Sequence, residues 1–149
     1  MFPLTSIFIA VIVLVTPAAD VMIGVTDQGR RIDEYGALNF SQEKVHLDVL
    51  AKMLKNEVDA KGFIVLYEGS NFSVTNGKTR VCRSLHYLLS KRKTMPGSLV
   101  GAIVSGGHRK TLTVELWIFP KDVSDYFPFA REEDLHIIRA GELERRCQT

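Results

Sequence analysis

The residues whose types and spacing most suggest chemistry lie at positions 67–80, which read YEGSNFSVTNGKTR. An apolar run precedes this stretch and a helical pattern follows it, as around a phosphate-binding P-loop. A P-loop has about four residues between its first glycine and the Gly-Lys-Ser/Thr triplet, so that backbone N–H groups wrap the phosphates. Here seven residues separate Gly69 from Gly77, and Phe72 stands where the first glycine should be. The spacing excludes a nucleotide site of this kind.

A second candidate is the pair Cys82 and His86, which lie four residues apart in one predicted helix. A thiol nucleophile and its imidazole base usually come from different elements, so that a substrate fits between them, and a third group orients the base. Cys82 next to apolar positions is more typical of a small core residue. No Cys/His spacing has the form of a metal site. We therefore predict no catalytic residue, no metal and no cofactor, and that the protein is not an enzyme.

Helical and strand patterns position these residues. Apolar side chains recur at three- and four-residue steps in two segments, which predicts amphipathic helices, the first with Ser41 as its N-cap and the second beginning near Gly77. Two late strands are close in sequence, which predicts an antiparallel hairpin. We expect a single α+β domain, a mixed sheet with two helices packed on one face. The predicted helices are 41–58 and 78–92, and the predicted strands are 21–25, 62–69, 99–105 and 111–119.

The beginning of the chain predicts its location. The first 19 residues hold no charged side chain, and residues 7–15 are a continuous apolar block. That block is too short to span a bilayer comfortably and is followed by small residues, which is typical of a secretory signal cleaved after Ala18 or Ala19. An uncleaved anchor is the alternative, and would be the chain's one contact with a membrane. We predict export to the periplasm or cell envelope, where Cys82 and Cys147 can form a disulfide if they meet.

The chain therefore divides into a signal peptide (1–19), a connecting segment (20–30), one domain (31–120) and a tail (121–149). The periodicity of the tail is weak and its charge is mixed, so we predict that it is peripheral. The formal net charge of +2 over 149 residues is too balanced to predict nucleic acid as a partner.

Four stretches of the predicted domain resemble the OmpA-like peptidoglycan-binding domain, the C-terminal type of outer-membrane protein A. That family runs through a first helix rich in Leu and Ala, a strand, a second helix with Tyr-Leu near its end, and a strand pair that ends in a Val-Glu pattern. The resemblance implies the element order βαβαββ. The stretches that carry it are LNFSQEKVHLDVLAKMLKN, GFIVLYEG, NGKTRVCRSLHYLL and TLTVELWI.

The resemblance also implies a ligand-binding site. The family holds the carboxylate and amine of diaminopimelate, a component of the cell-wall peptide, with an Arg of the second helix and an Asp of the preceding loop. Arg80 matches the Arg, and is expected to project toward the loop of residues 69–76. This loop begins Gly69-Ser70-Asn71 and lacks the Asp. Ser70 and Asn71 would offer neutral hydrogen bonds instead, which predicts weaker binding, since a hydrogen bond to a charged group contributes about 1.5–3 kcal/mol.

The resulting functional hypothesis is an exported, non-catalytic envelope-binding protein that contacts peptidoglycan through Arg80. One alternative is a protein–protein interaction module that kept the fold, lost the ligand and binds another envelope protein. A small exported enzyme is the other alternative, although the sequence shows no convincing set of catalytic residues for one.

Overall fold

The structure is a computed structural model that describes residues 29–70, 74–120 and 130–147. The predicted strand at 21–25 lies outside these residues, and the first described strand is one that the sequence analysis did not predict. The main elements are β1 (Arg30–Tyr35), α1 (Phe40–Asn56), β2 (Ala60–Gly69), α2 (Val74–Ser90), β3 (Leu99–Arg109), β4 (Thr113–Pro120), β5 (Leu135–Arg139) and α3 (Leu143–Cys147).

The five described strands form one mixed sheet in the order β1-β4-β2-β3-β5. β2 pairs in parallel with β3 and antiparallel with β4, so β2 lies between these two strands. The predicted hairpin of β3 with β4 is therefore wrong. Their short connection does reverse the chain, but it passes the end of β2, and Gly69 at that end lies opposite Arg109.

Both long helices pack on one face of the sheet, as the sequence predicted. Alternate residues of the central strands point toward the helices, among them Ile64, Leu66 and Ile103. The inward faces of α1 and α2 meet them, with Leu50 and Leu85 fully buried. Burying such a side chain contributes about 1.5–3 kcal/mol, so this layer accounts for much of the stability. The α+β fold class is confirmed.

The opposite face of the sheet is also apolar. Phe63 and Phe119 lie edge to face there, with ring centroids 4.9 Å apart, and Val65 and Ala102 are fully buried beside them. β2 is thus covered on both faces, which explains why its sequence is a continuous apolar run rather than an alternating one.

Both helices begin earlier than predicted. Asn39, not Ser41, caps α1, because the Asn39 side chain accepts a hydrogen bond from the Gln42 backbone while the Gln42 side chain accepts one from the Asn39 backbone. α2 begins at Val74, so Gly77 lies inside its first turns rather than at its start.

The tail is not peripheral, because it adds β5 to the sheet beside β3 and buries Ile138 and Ala140 in the helix-side core. Cys147 of α3 forms a disulfide with Cys82 of α2, which answers the question that the sequence left open and removes Cys82 as a thiol nucleophile. Of the described helices, none has the length and apolarity needed to cross a membrane.

Candidate functional site

The predicted site residue Arg80 lies against α1, where it contacts a buried carboxylate. Glu43, in the first turns of α1, is only 1% exposed. The Nε atom of Arg80 lies 3.3 Å and 3.4 Å from the two carboxylate oxygens of Glu43. The Arg80 Nη2 atom donates to the backbone oxygen of Leu38 at 3.1 Å. Arg80 thereby joins α2 to α1.

Further donors complete the partners of Glu43. The Ser84 hydroxyl donates to Glu43 Oε1 at 3.0 Å, and the Tyr35 hydroxyl donates to the same oxygen at 3.2 Å. Burial, and then the negative charge of Glu43, raise the pKa of Tyr35 well above its ordinary value, so Tyr35 remains a donor. A buried carboxylate needs several such partners, since an unpaired buried charge is strongly unfavourable.

Arg83, one helical turn after Arg80, is the exposed member of this group. Its Nη2 atom lies 3.3 Å from Glu43 Oε2, yet 45% of its side chain is exposed. Its guanidinium stacks on Phe40, with the carbon Cζ 4.3 Å from the ring centroid, and the ammonium group of Lys44 lies 5.0 Å from the same centroid. The stacking holds the guanidinium in one orientation while its outer edge faces solvent.

We call Glu43, Arg80, Arg83, Phe40 and Lys44 the arginine cluster. Its three cations outnumber its one carboxylate, so a positive charge is left at the solvent side, where Arg83 and Lys44 lie. Oriented guanidinium groups bind carboxylates and phosphates with paired hydrogen bonds. The cluster can therefore bind an anionic group, with Arg83 as the residue that a ligand reaches first.

The other predicted site residues lie elsewhere. Gly69, at the end of β2, is packed against the backbone of Thr111 and Leu112, where a Cβ atom would come within 2.9 Å of it. The Ser70 hydroxyl donates to the backbone oxygen of Lys110. Asn71 lies outside the described residues.

The described side-chain hydrogen bonds of Arg80 run to α1 and the segment before it. Residues 71–73 of the loop lie outside the described residues, so the expected projection of Arg80 toward the loop stays a prediction. Gly69 and Ser70 instead contact the connection between β3 and β4. No contact between described residues brings Ser70 and Arg80 together. Their joint role in binding stays a prediction.

A second buried glutamate lies on the opposite face of the sheet. Glu115 of β4 is 2% exposed and accepts hydrogen bonds from Arg109, Arg31 and the Trp117 indole at 2.7, 3.1 and 2.9 Å. Burial, and then the charge of Glu115, raise the pKa of Tyr67 to about 12. The guanidinium groups of Arg31 in β1 and Arg109 in β3 cover Glu115 of β4 from the solvent side. These ion pairs therefore connect three strands of the sheet.

Glu68, near the end of β2, is also buried, and it forms no ion pair with another described residue. Its side chain lies beneath α2, where a Cβ atom on Gly77 would come within 2.8 Å of its Oε1 atom. That oxygen has no hydrogen-bond partner among the described residues. Burial raises the pKa of Glu68, and the nearby charge of His136 opposes the change. Gly77 thus makes room for a carboxyl group and is not part of a phosphate-binding loop.

The sequence analysis missed Glu43, although a signal for it was present. Glu43 lies four residues before Leu47 and seven before Leu50, on the apolar face of α1, where a solvated carboxylate would not be expected. Two apolar residues of the predicted helix 41–58, Val45 and Val58, are mostly exposed and do not belong to the inward face.

Among the described residues, no three His, Cys, Asp or Glu side chains come together in a way that could hold a metal ion. Comparison of the chain with protein families, with curated proteins and with solved structures found no match.

Proposed function

We propose that the protein is an exported, non-catalytic binding protein of the cell envelope, and that it binds carboxylate groups of the peptidoglycan peptide at the arginine cluster. The observation that carries the proposal is the charge of the cluster, in which Arg80 and Arg83 share the single carboxylate of Glu43. A ligand carboxylate supplies the missing negative charge without displacing a buried group.

The geometry gives the two arginines different tasks. Arg80 is 11% exposed, contacts Glu43 of α1 through Nε and donates through Nη2 to the backbone oxygen of Leu38, just before α1, so it positions the cluster. Arg83 is held by Phe40 and presents the rest of its guanidinium to solvent. This arrangement differs from the sequence hypothesis, in which Arg80 binds the ligand together with Gly69, Ser70 and Asn71 of the loop.

Export is supported by the disulfide between Cys82 and Cys147, because disulfides persist mainly in oxidising compartments outside the cytosol. The charge-free first 19 residues support it as well. N-terminal sequencing of protein from an envelope fraction should give a chain that begins at Ala19 or Asp20, and an intact Met1 in the cytosol would contradict export.

Sedimentation with purified peptidoglycan tests the binding. Arg83→Ala should lower the affinity for peptidoglycan at least tenfold, since a hydrogen bond to a charged group contributes about 1.5–3 kcal/mol. Arg131→Ala is the matched control for a lost cation, because Arg131 is 80% exposed and its one ion pair with another described residue is to Glu133, at 3.7 Å. The wild type should also release from the wall as salt is raised.

Three results would reject the proposal: no sedimentation of the wild type, equal loss in Arg83→Ala and Arg131→Ala, or an unchanged Arg83→Ala. Absence of wall binding together with capture of a particular envelope protein through Arg83 would favour the protein–protein module.

A further inference from the structure

A basic groove lies at the other end of the helix pair from the arginine cluster. It runs between the C-terminal half of α1 and the segment that follows α2, and it encloses about 620 Å³. Four lysines line it: Lys52 and Lys55 from α1, and Lys91 and Lys93 from the segment after α2.

The charge of this groove is unbalanced. All four lysines are exposed, and none forms an ion pair among the described residues. The carboxylate in the lining, Asp48, is paired with Arg92. The groove therefore carries a charge of about +4, whereas the whole chain has a formal net charge of +2. The helix dipole favours a lysine in the last turn of a helix, which is sufficient to explain Lys55 of α1. It does not explain Lys52, which lies more than a turn before the end of α1.

Exposed apolar side chains share the groove with these lysines. Val58, just after α1, is 77% exposed, and Met95, after α2, is 70% exposed. A soluble anion that binds through charge alone would not require these two apolar side chains. Cationic side chains around protruding apolar ones are typical of a surface that binds anionic lipids, whose headgroups meet the cations while the apolar side chains enter the boundary of the acyl layer.

We propose that this groove docks the protein on the surface of an anionic phospholipid bilayer. Lys52, Lys55, Lys91 and Lys93 bind the lipid phosphates, and Val58 and Met95 insert between the headgroups. The proposal does not depend on peptidoglycan binding, since it uses residues at the opposite end of the helices.

Co-sedimentation of the full chain with vesicles tests it. The apolar N-terminal block contributes equally to every variant, so the quantity compared is the ratio of binding to phosphatidylglycerol vesicles over phosphatidylcholine vesicles. Lys52→Gln/Lys91→Gln should lower that ratio about 25-fold, because each lysine at such a surface contributes a factor of about five. Lys110→Gln/Arg131→Gln, at exposed positions outside the groove, is the charge-matched control and should leave the ratio near its wild-type value.

Val58→Ser/Met95→Ser separates a lipid surface from a soluble anionic polymer. It should weaken binding to phosphatidylglycerol vesicles and leave binding to soluble polyphosphate unchanged. An equal loss in the lysine pair and its control would overturn the proposal. So would full vesicle binding by Val58→Ser/Met95→Ser, which would assign the groove to anionic polymers.

Discussion

Arg80 pairs with a carboxylate that is almost completely buried, so its substitution affects the stability of the protein as well as its binding. In the structure its side chain is 11% exposed and paired with the fully buried Glu43. Arg80→Ala removes one of the two positive charges that pair with the buried carboxylate of Glu43.

We therefore expect Arg80→Ala to lower the free energy of unfolding by about 3 kcal/mol, measured by urea denaturation. Arg83→Ala should lower it by less than about 1 kcal/mol, because Arg83 is half exposed and Arg80 still pairs with Glu43. Similar values for the two variants would contradict the assignment of Arg80 as the positioning residue.

Glu68 gives a prediction about pH. Burial raises its pKa in the folded protein above the ordinary 4.5 that holds in the unfolded chain. The folded state therefore keeps this proton to higher pH, so Glu68 lowers stability as pH rises from about 4.5 through the folded pKa, and the loss persists above it. Glu68→Gln has no charge to bury and should unfold at higher urea concentration than the wild type at pH 7.

The difference in free energy of unfolding between Glu68→Gln and the wild type should become smaller toward pH 4, where the side chain at position 68 is neutral in both proteins. Glu133→Gln, at a position 72% exposed, is the control and should show no such dependence. If the difference in free energy of unfolding stays constant from pH 4 to pH 7, the pKa of Glu68 is not raised in the folded protein.

At the scale of elements, α3 depends on the disulfide. It has five residues, too few for a stable isolated helix, and its packing uses the half-buried Leu143 and Cys147. The bond to Cys82 spans 65 residues, for which the chain-entropy treatment gives about 4 kcal/mol. Reduction should lower the free energy of unfolding by about that amount.

Hydrogen exchange can locate the effect of reduction. Amides of α3 should lose protection first, while those of β2 keep theirs under conditions where the protein stays folded. Cys82→Ser/Cys147→Ser should match the reduced protein. Equal loss of protection in β2 and α3 would show that the disulfide supports the whole fold rather than this element.

The elements whose apolar residues follow a clear pattern in the sequence could be predicted, whereas the elements without such a pattern could not. α1 and α2 follow from apolar residues at helical spacing, and β2 from its apolar run, although the helix starts moved by one and four residues. β1 reads RRIDEY and buries only Tyr35 fully, so its sequence lacks the apolar alternation of a strand. It forms because β4 offers it a free edge.

For the whole molecule, the sequence predicted the fold class but not the strand order. Residues 99–105 and 111–119 lie close in the chain, and proximity favours a hairpin. Against this, β2 is apolar on both faces and gains most from a central position, which it reaches only if β3 and β4 pair with its two edges. The arginine cluster was not predicted, although both helices were expected on one face, because the contact between Glu43 and Arg80 depends on how each helix is rotated and offset along the sheet, which the apolar pattern does not specify.

The central place of β2 has a consequence for the order in which the chain is made. Both of its neighbours follow it in the sequence, so a growing chain that has reached α2 carries ten largely apolar strand residues with neither edge paired. Unpaired apolar strands are templates for aggregation. Until β3 and β4 emerge, the nascent protein depends on α1, α2 or a chaperone to keep that strand from pairing with another chain.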